Sequence, residues 1–235
     1  MTDIRPAEFT EIVPVTIRDR VVAAVKDSFF SGLLKPGERI VERQIAQKMR
    51  IGTPSVREAL IALEEQGFVK RITNTATYVT KYSAEEVAQL YTLRIEFEVL
   101  ALQWAKPRHT EGDLQTLEKT VHDMIAASEQ GQTRLFYELD LFFHRHCWEL
   151  CGNKYLADAL ERIVHPLFAF VLIANGSPVD QSFAEEHLTI INALRNLQEP
   201  EFSTTIRRTL DVFAEHGVAI VSRHAPLEEA VASAD

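Results

Sequence analysis

Cysteine is nearly absent from the chain: only Cys147 and Cys151 occur in 235 residues. They stand four apart in a stretch of helical apolar periodicity, so reduced core thiols are expected rather than a disulfide framework. No run approaches the roughly 18 apolar residues that read as a membrane span. The first fifteen residues, MTDIRPAEFTEIVPV, hold acids and prolines where a signal peptide has an apolar core. A cytoplasmic protein with no membrane partner is the expectation. The sequence also has no HExxH and no Gly-rich phosphate loop, which argues against the common metallohydrolase and nucleotide-binding classes. Internal repeats and low-complexity tracts are missing too.

What is present is unevenly charged. The net charge is -9, but residues 1–82 carry 13 Lys/Arg against 10 Asp/Glu, and the rest carries 12 against 24. A mildly basic piece joined to a strongly acidic one points to two jobs.

Residues 1–13 read as a flexible leader. Within 14–82, Val21, Ala24, Val25 and Ser28 recur at helical spacing, and Lys35-Pro36-Gly37-Glu38 reads as a turn. Val41, Ile45 and Met49 predict a short second helix. Thr53 is expected to cap a third, with Pro54 at its first position and Gly67 past its end. The alternation in FVKRI and TYVTK predicts two strands joined near Asn74-Thr75. The sum is a winged helix-turn-helix. From Ser83 to residue 223 everything reads as helix, with capping signals at Ser83/Glu86 and Thr110/Asp113. Six helices with short connections imply an all-α bundle, and residues 224–235 a flexible tail. The fold class is therefore mainly α, a winged helix-turn-helix followed by a six-helix bundle.

A helix-turn-helix presents the first turn of its second helix to base edges in the major groove. Here that turn holds Thr53, Ser55 and Arg57: small hydroxyls that permit close approach, and a guanidinium that can fork onto guanine or phosphate. Arg43 in the preceding helix can reach the flanking backbone. Arg71, Asn74 and Thr75 in the wing can touch the adjacent groove. Across Leu33–Ile72, in the turn, the Glu42-Arg43 pair, Val-Arg-Glu-Ala-Leu and Gly-Phe-Val, the chain resembles the GntR superfamily of bacterial transcription regulators. That resemblance implies binding to double-stranded operator DNA. The family usually has Ser-Arg where Gly52-Thr53 stands, and a wing-tip glycine where this chain has Asn74-Thr75-Ala76.

The stretch Thr133–Cys151, TRLFYELDLFFHRHCWELC, is apolar nearly all round and is expected at the centre of its domain. Asp140 and His144 sit at i, i+4 on one face of it, and buried polar groups need partners. His187 and His216 each occupy an aliphatic position on a later apolar stripe. Four such groups on three helices suit a divalent first-row ion, zinc or nickel first. Core histidines that only bond their neighbours are the plainer reading. His146 lies on another face as a rival ligand, and Cys147 and Cys151 continue the Asp140 stripe. His109, His122, His165 and His224 read as loop, edge or end residues.

The segments LRIEFEVLALQWA, ELDLFFHRHCWEL, EEHLTIINAL and FAEHGVAI resemble successive signatures of the FCD domain, the ligand-binding half of the FadR-like GntR branch, and six helices are similar to its VanR-like subgroup. In LQEPEFSTTIRRT the chain departs from the family's usual Gly-Asp followed by alanines. The resemblance implies that Asp140, His144, His187 and His216 are metal ligands and that the metal holds a small organic acid. It also implies that Arg94 faces the effector cavity, where it could clamp a carboxylate, instead of only pairing with Glu98 along its helix. Arg134 and Asn192 are further candidates for that pocket. The expectation is a non-enzymatic, homodimeric transcription regulator, a repressor first, answering to a carboxylate effector. Its rivals are a metal-dependent enzyme with an appended DNA-binding domain and a constitutive DNA-binding protein with structural histidines.

Overall fold

The computed structural model describes residues 16–72, 76–175 and 180–223. The predicted leader, Asn74 and Thr75 at the wing tip, His224 and the predicted tail lie outside the described residues. Helix α1 (Ile17–Phe30) opens on a capping box that the sequence reading did not use. Thr16 Oγ1 accepts from the Asp19 N–H at 3.1 Å, and Asp19 accepts in return from the Thr16 N–H at 3.4 Å. A short strand β1 (Arg39–Ile40) leads into α2 (Glu42–Met49) and α3 (Thr53–Glu65).

Helix α3 starts one residue earlier than predicted. Gly52 is the N-cap, Thr53 already lies inside the helix, and no side chain bonds the first-turn N–H groups. At its other end the chain closes a Schellman motif, with Phe68 N–H on Leu63 O at 2.9 Å, Gly67 N–H on Glu64 O at 2.9 Å, and Gly67 at φ +76°. Strands β2 (Val69–Ile72) and β3 (Ala76–Val79) form the predicted antiparallel hairpin, with Lys70 opposite Tyr78. The unpredicted β1 adds to β3, giving the order β1-β3-β2. Val56, Leu60 and Leu63 of α3 are fully buried against Val21, Val25 and Phe29 of α1.

The remaining six described helices are α4 (Ala84–Ala105), α5 (Glu111–Glu129), α6 (Thr133–Leu150), α7 (Lys154–Asn175), α8 (Gln181–Asn196) and α9 (Glu201–Arg223). Both predicted capping boxes form. Ser83 N–H donates to Glu86 Oε2 at 2.8 Å and Thr110 N–H to Asp113 Oδ2 at 2.7 Å, each answered by the reverse bond. Helix α6 packs on α4, α5 and α7. It is less enclosed than its composition predicts, because Leu135 and Phe142 lie exposed on its outer face.

The head and the bundle share one apolar core cluster. The Phe30 ring of α1 lies 4.7 Å from that of Tyr137 in α6, and Phe68 meets His165 of α7 edge-on at 4.9 Å. Gly67 abuts Pro166 so closely that a Cβ there would stand 2.8 Å from the proline Cγ. His165 is therefore no edge residue: it is 8% exposed, stacked on Tyr137 and paired with Glu161 at 2.9 Å.

Candidate functional site

Two surfaces carry the chemistry, one on the head and one inside the bundle. On the head, Thr53 is exposed and Ser55 half-buried in the first turn of α3. Four N–H groups at such a turn have no helical acceptor and favour an anion. Arg57 has 60% of its side chain exposed and rests on Glu42 of α2 at 3.0 Å. Arg43 is exposed on α2. Arg71 is held to the end of α3, with its N–H on Glu64 Oε1 at 3.1 Å and its guanidinium 3.7 Å from Glu64 Oε2.

Inside the bundle, α4 supplies Tyr91, Arg94 and Glu98, α6 supplies Tyr137, Asp140 and His144, and α8 supplies His187. All of these are buried. His187 Nδ1 lies 3.2 Å from the carbonyls of both Phe183 and Ala184. Carbonyls only accept, so Nδ1 carries the hydrogen and Nε2 keeps its lone pair. That lone pair faces Asp140 Oδ1 at 2.9 Å and His144 Nε2 at 3.3 Å. His144 Nε2 accepts from Arg94 Nη2 at 3.1 Å, which puts the ring hydrogen on Nδ1, 3.3 Å from Glu98 Oε2, and leaves Nε2 as the acceptor end, 3.6 Å from Asp140 Oδ1. Burial holds His144 below the ordinary imidazole value, and the neighbouring Arg94 guanidinium acts in the same direction against Glu98. The ring is thus kept in the neutral form that binds metals.

Three electron-rich atoms therefore meet where few hydrogens are offered. Among the described residues, Asp140 Oδ1 is fully buried and receives no hydrogen bond. A buried carboxylate in that condition is costly unless a cation joins it. Zinc bonds of about 2.0–2.1 Å set tetrahedral neighbours roughly 3.3 Å apart, and the three separations here are 2.9, 3.3 and 3.6 Å. Asp140, His144 and His187 thus form a candidate metal site. The nearest cation is Arg94, whose Nη2 stands 3.1 Å from His144 Nε2 while its Nε donates to Glu98 Oε1 at 3.1 Å. Its guanidinium also lies over Phe168, 4.4 Å from the ring centroid.

The other predicted residues are placed as follows. His216 of α9 lines the same cavity but is exposed, its ring 5.2 Å from Phe183, and it does not stand with the three converging donors. Arg134 lies away from the cavity, bonded to Asp27 of α1 at 2.5 Å and to Glu138 at 2.9 Å. Asn192 is exposed on α8 and accepts from Asn196 at 2.7 Å. Their offset from the stripe of buried positions puts both side chains outward. His146 points to Asp113 of α5, with 3.2 Å between Nε2 and Oδ1. Cys147 and Cys151 are free and buried, and burial pushes the Cys147 thiol up, keeping it protonated. Glu98, read in the sequence only as the partner of Arg94, proves to orient His144 as well. The Arg94/Glu98 spacing gave the first contact; no signal in the chain pointed to the second.

Comparison with known proteins matches each half of the chain to a family. Residues 17–79 match the bacterial regulatory proteins of the gntR family, and residues 89–212 match the FCD domain. The chain is 29% identical over 174 residues to the HTH-type transcriptional regulator YdhC of Bacillus subtilis (strain 168), covering 73% of this chain and 77% of that protein. It is 26% identical over 165 residues to the HTH-type transcriptional repressor RspR of Escherichia coli (strain K12), covering 69% and 72%. Among solved structures, E. coli McbR/YncC superposes with a TM-score of 0.71 at 20% identity, over 90% of this chain and 99% of that one, which shows the shared fold. These relatives are transcription regulators rather than enzymes. With a reading head built on α3 and an FCD match spanning more than half its length, the chain belongs to the GntR family as a DNA-binding transcription regulator with an FCD effector-binding domain.

Proposed function

We propose that the protein is a homodimeric repressor whose grip on operator DNA is released by a small carboxylate held at a divalent metal in the bundle. The observation that carries this reading is the convergence of Asp140 Oδ1, His144 Nε2 and His187 Nε2 around a buried, unpaired oxygen. Zinc or nickel suits such a donor set, and His216, which lines the same cavity, is the candidate for a fourth ligand. A divalent ion there would supply fixed positive charge and open positions for a carboxylate oxygen. Arg94 now stands on the lone pair of His144. With an ion bound at that atom the guanidinium would be free to fork onto the effector. Six bundle helices among the described residues support the VanR-like subgroup.

The contacts between bundle and head support regulation. Tyr137 lines the cavity, stacks on His165 and packs on Phe30 of α1, and its hydroxyl donates to the His165 carbonyl at 3.1 Å. An effector that binds one arrangement of these rings better than another shifts the head; equal affinity shifts nothing. In the dimer, two such heads would address the two halves of a palindromic operator.

Elemental analysis of the purified protein tests the reading. One ion per chain is expected, most of it lost in His187→Ala, and full occupancy in that variant moves the site elsewhere. Thermal melts of native and chelator-stripped protein with carboxylic acids add the second half. An acid at about 100 times its Kd contributes ~2.7 kcal/mol to stability, and this gain should vanish on stripping.

A further inference from the structure

The walls of the cavity specify what the effector carries besides its carboxylate, given the reading above on which this step rests. Phe136, Phe168, Val171, Phe183, Phe213 and Ile220 make those walls hydrocarbon. The polar groups among them are committed elsewhere. Tyr137 gives its hydroxyl hydrogen to the His165 carbonyl. The Tyr91 hydroxyl is pressed against α9 at Gly217, where a Cβ would collide with it, so it faces the helix backbone and not open space. Asp140 and His144 face His187, and Arg94 is the one fixed cation among the described lining residues. His216 stands at the exposed rim. The empty space between these side chains is about 520 Å³ including its opening to solvent, towards the lower end of the range for small-ligand sites.

We infer that the effector is a compact monocarboxylate whose body is hydrocarbon, aromatic or short and branched, and not a sugar acid or a dicarboxylate. One guanidinium and one metal position serve one carboxylate; a second would be buried without a cation. Each hydroxyl of a sugar acid would lose water against a phenyl wall with no partner to replace it. Such a loss amounts to roughly tenfold in affinity per hydroxyl.

Titration calorimetry on the zinc-loaded, full-length protein tests this with benzoate, phenylacetate and isovalerate set against gluconate, galacturonate and succinate. At least one of the first three should bind about 100-fold tighter than gluconate or galacturonate, the loss expected if two of their hydroxyls go unpartnered, and tighter than succinate, whose second carboxylate would be buried without a cation. Val171→Thr, a near-isosteric change at a half-buried wall position, should narrow that gap by weakening the hydrocarbon acids. Gluconate, galacturonate or succinate binding as tightly as the others overturns the class and leaves the carboxylate reading standing. Heat from none of the six removes the carboxylate reading, and this class with it.

Discussion

Glu98 lies between two basic groups, Oε1 at 3.1 Å from Arg94 Nε and Oε2 at 3.3 Å from His144 Nδ1. Burial alone would push its carboxyl up, but Arg94 and His144 outweigh burial and hold it down at about 2. Glu161 ends at about 2 for the same reason, with Arg145 and His165 overcoming its burial. The folded values lie below the ordinary 4.5, so both carboxylates stabilise the fold above pH 4.5, and that contribution is lost as pH falls from there towards 2. Melting temperature followed across this window should fall less steeply in Glu98→Gln than in the parent. Parallel slopes would remove Glu98 as a source of acid sensitivity. Half of this arrangement was legible in the sequence. Arg94 and Glu98 are visible at i, i+4, but the contact with His144 crosses from α4 to α6, and no spacing along one helix encodes it. The inward positions of Asp140, His144 and His187 were readable, while His216, Arg134 and Asn192 were not placed by the same reasoning: periodicity tells which face of a helix turns inward, not which residues at its edge reach a rim.

Helix α3 presents its unpaired first turn with Arg57 leaning on Glu42 of the preceding helix. An exposed pair of this kind is worth at most about 1 kcal/mol, so DNA can break it cheaply, and meanwhile it keeps the guanidinium near the groove. Arg57→Ala should lower affinity for a selected operator at least tenfold, as expected for a forked base or phosphate contact, with the circular dichroism spectrum unchanged. Retained affinity in a gel-shift titration would put recognition on another element. Element ends with a local chemical signature were readable beforehand, as at Ser83 and Thr110, whose boxes are closed by residues three positions on. The start of α3 was misplaced by one because Gly52 has no side chain to announce it. Strand β1 was invisible because its two residues are strand only through pairing with Tyr78 and Thr77. The open face of α6 was missed because composition cannot say which neighbours arrive, and none of the described helices covers Leu135 or Phe142.

For the whole molecule, the basic head meets DNA while the acidic bundle is repelled by it, which favours one landing orientation over others. The head is joined to the bundle through a seam of rings and one bare Cα, that of Gly67 against Pro166. A methyl group at Gly67 would have to displace the proline ring or the head, and it also places a side chain at φ +76°, where most residues are strained. Pro166→Ala relieves the same contact from the other side and leaves Gly67 intact. Both variants should keep operator affinity within a few-fold of the parent while the ratio of affinities with and without bound acid falls towards one. An unchanged ratio in both would mean that the signal leaves the bundle by another route. If it does travel this way, sensing and reading are separable by a few atoms. A lineage could silence its response to the effector without touching the cavity or the recognition helix, leaving a regulator that is permanently deaf yet still literate.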